Sequence, residues 1–321
     1  MTSPTIFSTL LIAVLLIYAR PASAAFQPDF LKLSKTLYKE LPDIGACRGG
    51  LLHEAEKQRV KAGLNDIRQR HGLAPIGREL AAEPAVTQAA LMLAGNGQLT
   101  HNPLASWRCY SAEGAGMAAK SLLSGGVTAP NIAFHTPVQD IVAWLTDVSA
   151  AEAETVSHRR ILLDPFLANV AYGRVSGKVS RRNAGLASVL KVSYAKTAGA
   201  TVSVPQLIAY PYHDYPLRYF AEGAILSVSL LINASRKSAN AEVDFSGARI
   251  TVSTGRGKSM AVRNIRFDNR YFGLPNNLQF KLPDLAPNVR YEVRIDGVRM
   301  RGALTSFHYW FRITPDADDR A

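Results

Sequence analysis

Ser157-His158-Arg159-Arg160-Ile161-Leu162-Leu163-Asp164-Pro165 leads into Val170-Ala171-Tyr172-Gly173-Arg174-Val175. After the Asp-Pro step the apolar period becomes two. It runs through Val170 to Val175 and again through Leu190, Val192 and Tyr194, with a break from Gly177 to Gly185 between them. That pattern reads as a β-hairpin lying under helices.

The helices precede it. Between Leu51 and Arg70 the spacing of Val60, Leu64 and Ile67 is helical, and Gly72 stands where a C-terminal cap belongs. A second helix fits Glu83 to Leu93, with Pro84 early and Val86, Ala90 and Leu93 on one face. In the third, Thr136 caps, Pro137 occupies the first turn, and Val138, Ile141, Val142, Leu145 and Val148 form one stripe, with Trp144 one position off it. From about Gln206 the helical periods stop. Short alternating runs follow at Ile225 to Ile232, Ile250 to Ser253, Ala261 to Phe267, Tyr291 to Ile295 and Phe307 to Ile313. Turn signals at Gly255-Arg256-Gly257 and Asp296-Gly297 separate them, as in a β-sandwich.

The chain of 321 residues, close to half of them apolar, is long enough for two domains. Phe7 to Tyr18 is a nearly unbroken apolar run followed by Ala22-Ser23-Ala24, which reads as a signal peptide over residues 1–24 and places the protein outside the cytoplasm, secreted or periplasmic. No other stretch is long and apolar enough to span a bilayer, so the chain is not expected to be an integral membrane protein. An exported chain with two cysteines, Cys47 and Cys109, either joins them in a disulfide or buries two separate thiols. The net charge is +12, and between Asp164 and Asp214 no acidic residue interrupts Arg174, Lys178, Arg181, Arg182, Lys191 and Lys196. Such a stretch either meets anionic lipid, lipopolysaccharide or another envelope polymer, or is a solvated basic hairpin. Export argues against nucleic acid as a partner.

Several pieces, taken in order, resemble the CAP superfamily (cysteine-rich secretory proteins, antigen 5, pathogenesis-related 1), in its bacterial secreted branch. They are Leu64-Asn65-Asp66-Ile67-Arg68 with Gly72-Leu73-Ala74-Pro75, then Leu99-Thr100-His101, Trp144, His158-Arg159-Arg160-Ile161-Leu162 with Asp164-Pro165, and Val170-Ala171-Tyr172-Gly173. The resemblance implies an α/β/α sandwich with an antiparallel sheet over residues 25–203, and a cleft where His101 and His158 meet. It also implies two cleft acids. Glu113 is one candidate for the first, although the spacing from His101 fits Lys120-Ser121-Leu122 better, where no carboxylate stands; Glu152 and Glu154 are candidates for the second. Leu285-Ala286-Pro287-Asn288-Val289-Arg290-Tyr291 looks like the corner of fibronectin type III and related immunoglobulin-like modules, in which the tyrosine hydroxyl bonds back to nearby backbone, and this implies an all-β sandwich over residues 206–314 before the loose acidic tail 315–321.

The overall expectation is therefore an α+β chain. His101, His158, Glu113 and Trp144 are its candidate cleft residues, and the two histidines are candidate ligands for a divalent metal, zinc or magnesium. There is no H-E-x-x-H helix and no G-x-S-x-G elbow, and Ser157 is too close in sequence to His158 to serve it as nucleophile. The leading expectation is a non-enzymatic binding protein for a metal or small ligand. The alternatives are a metal-dependent hydrolase of envelope material, and a lipid or sterol carrier. The tyrosines and histidine at Tyr210, Tyr212, His213, Tyr215 and Tyr219 either bind a glycan or, as favoured here, seal the two halves together.

Overall fold

The computed structural model describes residues 29–129, 132–147, 154–198 and 205–316. The expected leader, Val148, Glu152, most of the expected junction between the halves and the last five residues lie outside that range. Helices and sheets are both present, so the chain is of mixed α+β class. Among the described residues no helix is long and apolar enough to cross a membrane.

The first half runs α1 (Phe30–Lys35), β1 (Tyr38–Glu40), β2 (Leu51–Leu52), α2 (Glu54–Arg70), β3 (Gly77–Arg78), α3 (Glu83–Asn96), α4 (Ala112–Ala118), β4 (Ser121–Ala129), α5 (Pro137–Thr146), α6 (Ser157–Leu162), β5 (Leu167–Lys178) and β6 (Ala184–Tyr194). The expected hairpin is β5 and β6, paired antiparallel with Val170 opposite Val192 and Tyr172 opposite Leu190. It is the centre of a sheet ordered β3-β5-β6-β4, in which only the short β3 is parallel to its neighbour.

Period two sends alternate residues to opposite faces. Val170, Tyr172, Leu190 and Leu122 join the apolar cluster of α2 and α5, whereas Ala171, Val175, Ala187 and Val189 join that of α3 and α4. Val60, Leu64 and Ile67 of α2 are all fully buried, each contributing about 1.5–3 kcal/mol of transfer free energy. The other face is tighter. A Cβ at Gly173 would stand 2.6 Å from the Thr87 backbone nitrogen, so α3 lies nearly on the strand and its Ala89 and Ala90 suit that gap.

The start of α5 is as expected, a capping box between Thr136 and Gln139 with Pro137 in the first turn. Its buried face is rotated from the expected stripe. Val138 and Val142 are only half-buried, while Asp140 and Trp144 are buried. Asp140 is drawn inward by Arg174, 3.0 Å away and equally buried, by the Tyr172 hydroxyl, and by His135 at 2.7 Å. Burial alone would raise the carboxyl, but the adjacent guanidinium and imidazole hold it below its ordinary value. Arg174 is thus removed from the expected basic surface. Lys191 is occupied too, by Glu79, so the chain-long absence of acids between Asp164 and Asp214 does not make a continuous basic face.

The second half contains β7 (Leu207–Tyr210), β8 (His213–Pro216), β9 (Leu226–Leu230), β10 (Arg249–Thr254), β11 (Ser259–Met260), β12 (Arg263–Asp268), β13 (Asn277–Lys281), β14 (Arg290–Met300) and β15 (Ala303–Thr314). They form two sheets, β12-β13-β9-β7 and β11-β10-β14-β15-β8. Leu226, Val228, Leu278 and Phe280 from the first share one apolar cluster with Val293, Ile295, Phe311 and Ile313 from the second. The Tyr291 hydroxyl accepts the Ala286 N–H at 2.8 Å, the corner bond expected of that segment. Two expectations change. Asp296-Gly297 is a bulge inside β14, marked by a register shift between Ile295 and Val298, and the hairpin turns instead at Arg301-Gly302. Asp316, in the expected loose tail, is held by Arg218 at 2.8 Å.

The two halves meet through the tyrosine cluster, which is the expected seal. Tyr210 and Tyr215 are fully buried, Arg159 lies 3.8 Å over the Tyr210 ring, and Tyr219 donates to Asp66 at 2.8 Å. His71, just past α2, bonds the Tyr215 hydroxyl at 3.2 Å through Nε2. An arginine doublet such as Arg159-Arg160 ordinarily faces solvent or pairs with a nearby carboxylate such as Asp164. Both are buried, because the second half covers them: Arg159 donates to the carbonyls of Leu145 and Thr146, each at 2.7 Å, and of Ile225, while Arg160 takes Asp268 at 2.9 Å. Asp164 instead pairs with Lys237.

Candidate functional site

His101 and His158 line one open cleft of about 590 Å³. His101 sits in the segment after α3, which is held by the Cys47–Cys109 disulfide and by two bonds between Asn96 and the Arg108 backbone. Its Nδ1 donates to the Ala118 carbonyl at the end of α4, at 2.7 Å. His158 is the second residue of α6, and its Nδ1 is 2.9 Å from Asp147 Oδ1. With Nδ1 engaged by an acceptor in each ring, the neutral tautomer carries its lone pair on Nε2.

Asp147 is the acid that the sequence reading missed. It ends α5 in a left-handed conformation, is 3 % exposed, and spans to α6 by accepting the Arg159 backbone N–H at 3.1 Å with its other oxygen. A signal existed. A carboxylate at a helix C-terminus opposes the helix dipole, so Asp147 needed a nearby imidazole or N–H donor. It lies behind His158 and orients it, and it does not line the cleft.

The other sequence candidates are placed elsewhere. Glu113 is in the first turn of α4 and exposed, about 7 Å of helix from the Ala118 carbonyl that His101 uses. Ser111 caps that helix by accepting the Gly114 N–H, so Glu113 there is a helix-start residue facing solvent. Trp144 is 2 % exposed, its indole N–H donates to the Leu123 carbonyl at 2.9 Å, and it is part of the core. Glu154 is on the surface, 3.4 Å from Arg266. Lys120, Ser121 and Leu122 do line the cleft, and none of them carries a carboxylate.

The motif residues outside the cleft hold the fold. Asn65 exchanges two bonds with the backbone of Ile76, and the buried Arg68 donates to the carbonyls of Ala74, Leu162 and Asp164 at 2.8–2.9 Å. These bonds tie α2 to the end of α6 and so fix where His158 emerges.

The cleft donors do not fit a firmly held zinc or magnesium ion. Two imidazoles supply two ligands, the lining holds no carboxylate, and among the described residues no three of His, Cys, Asp and Glu gather. Zinc sites take three or four protein ligands, magnesium sites take oxygens, and Lys120 adds a repelling charge to the same wall. No protein-family model matches the chain, and no curated protein matches it.

Proposed function

We propose that this is an exported binding protein of the CAP kind, whose first half offers a two-histidine cleft to a small ligand and whose second half is an immunoglobulin-like module packed against it. The observation that carries the reading is the convergence of His101 and His158 on one open cleft, each with Nδ1 engaged and with no carboxylate on the lining. Support for the family comes from the helices on both faces of a largely antiparallel sheet, with the histidines of two of the ordered motifs on one cleft. Support for the second module comes from two sheets sharing one core and from the Tyr291 corner.

Binding is favoured over hydrolysis because a hydrolytic site needs a base facing the reacting atoms. Asp147, the acid bonded to His158, is turned into the protein. The test is histidine-selective NMR of the mature protein during a screen of small polar and charged fragments. Hits should shift the His101 and His158 signals together and saturably. Turnover of peptides or esters that needs added zinc or magnesium and vanishes in His158→Ala would overturn the reading in favour of the hydrolase.

A further inference from the structure

The cleft has two walls of different origin. The polar wall comes from the first half, with Lys120 beside His101 and His158. Lys120 is exposed, and among the described residues no ion pair or hydrogen bond engages it. Its neighbour Ser121 is buried, lines the same cleft, and its hydroxyl has no partner among the described residues.

The apolar wall is shared. Leu122, Ile161 and Val192 belong to the first half, but Phe272 comes from the loop between β12 and β13 in the second. That loop is held in place. The buried Arg160 donates to the Arg270 carbonyl at 2.8 Å and the Leu274 carbonyl at 3.3 Å, and its guanidinium lies 5.7 Å from the Phe272 ring centre. Gly273, at φ +71°, approaches so closely that a Cβ there would be 2.0 Å from the Arg160 carbonyl oxygen. Asn269 pins the same loop to the second half through the Ala241 and Val243 carbonyls at 2.8 and 2.9 Å. Phe272 is therefore a fixed wall of the cleft.

Resting on the reading of the cleft as a binding site, we propose that it takes a small amphiphilic anion. The sulfonate, phosphate or carboxylate lies at Lys120, on the wall that also carries the two histidines, and the ring or short acyl body lies against Phe272, which makes the second half part of the specificity. Lys120 supplies a charge-assisted hydrogen bond to the anion. The apolar wall removes the body from water.

The experiment is a fluorescence titration with anilinonaphthalene sulfonate, an aromatic anion, and with neutral phenylnaphthylamine, which shares its rings. Wild type should bind the sulfonate saturably, and Lys120→Ala should weaken it about tenfold while leaving the neutral probe unchanged, as loss of one charge-assisted bond predicts. Phe272→Ala should weaken both probes, with Phe272→Leu intermediate, and melting temperatures near wild type would show that the variants fold. Octanoate or phenyl phosphate should displace the sulfonate, and which does so better identifies an acyl or a ring body; inorganic phosphate should not match them. Sulfonate binding that is absent in wild type, or as tight in Lys120→Ala or Phe272→Ala as in wild type, would overturn the proposal. If the labelled imidazoles then still respond to other fragments, only the ligand class falls; if they respond to none, the binding reading falls with it.

Discussion

The seam between the halves and the cleft beside it are built from the same residue types, yet they differ in one physical respect. At the seam, His71 and Arg159 meet Tyr210 and Tyr215 with no solvent between them. In the cleft, His101, His158 and Lys120 meet Phe272 around open space. Buried polar groups must find partners within the protein, and those of the seam do so largely with backbone carbonyls and hydroxyls. The cleft instead leaves Lys120 exposed on its wall, where water or a ligand can meet it. A cationic and aromatic cluster is thus structural where it is closed and available for binding where it is open.

The largest effect that should sharpen this contrast is at Arg159. Truncation to Ala leaves three buried carbonyls without their donor and removes the stack on Tyr210. The expected loss is about 3–5 kcal/mol of unfolding free energy, read by denaturant titration. A loss under about 1 kcal/mol would break the contrast, since it would put Arg159 in the class of ordinary surface substitutions.

Next is the acid response of the seam. Burial, with Arg159, Arg68 and Arg70 nearby, pushes His71 down to about 3 from 6.5, so the folded protein holds it neutral. A group with a depressed folded pKa of this kind contributes its full stability above pH 6.5 and loses it as the pH falls toward 3. The expected slope in that window is at most about 1.4 kcal/mol per pH unit. Thermal melts of wild type against His71→Leu between pH 7 and 4.5 measure it, and the variant should show the flatter profile. The window lies above the range in which Asp140 and Asp66, both held below their ordinary value, take up protons.

Smaller is the Tyr215 hydroxyl. Tyr215→Phe removes its bond to His71 while keeping the ring, and should cost about 1 kcal/mol. Smallest are the cleft residues themselves. His101→Ala and Lys120→Ala, both exposed, should leave stability within about 0.5 kcal/mol of wild type. Destabilisation of the seam's size at Lys120 would mean that the cleft cation, too, is structural.

Much of the frame was legible from local pattern. The α2 face, the α5 cap and the β5–β6 hairpin follow from spacing and caps, which depend on near neighbours in the chain. β13 was not legible. Asn277, Leu278, Gln279 and Phe280 are all buried, Leu278 and Phe280 in the apolar core and Gln279 under the first half, where it donates to the Glu154 carbonyl. The segment alternates polar and apolar as a half-exposed strand does, and nothing in its own order shows that the polar side is covered as well. Arg159 and Arg160 failed for a related reason, since a doublet of arginines reads as surface until something covers it.

What the amino-acid order determined by itself was the mixed α+β class, the places of α2, α3, α5 and the β5–β6 hairpin, and the two histidines, because hydrophobic period, caps and turns act over a few residues. What only the tertiary structure decided was which charges are buried, that Asp147 attends His158 while Glu113 attends neither histidine, and that Phe272 reaches the cleft. Those depend on surfaces brought together from distant parts of the chain, where burial changes what a side chain of given chemistry must do.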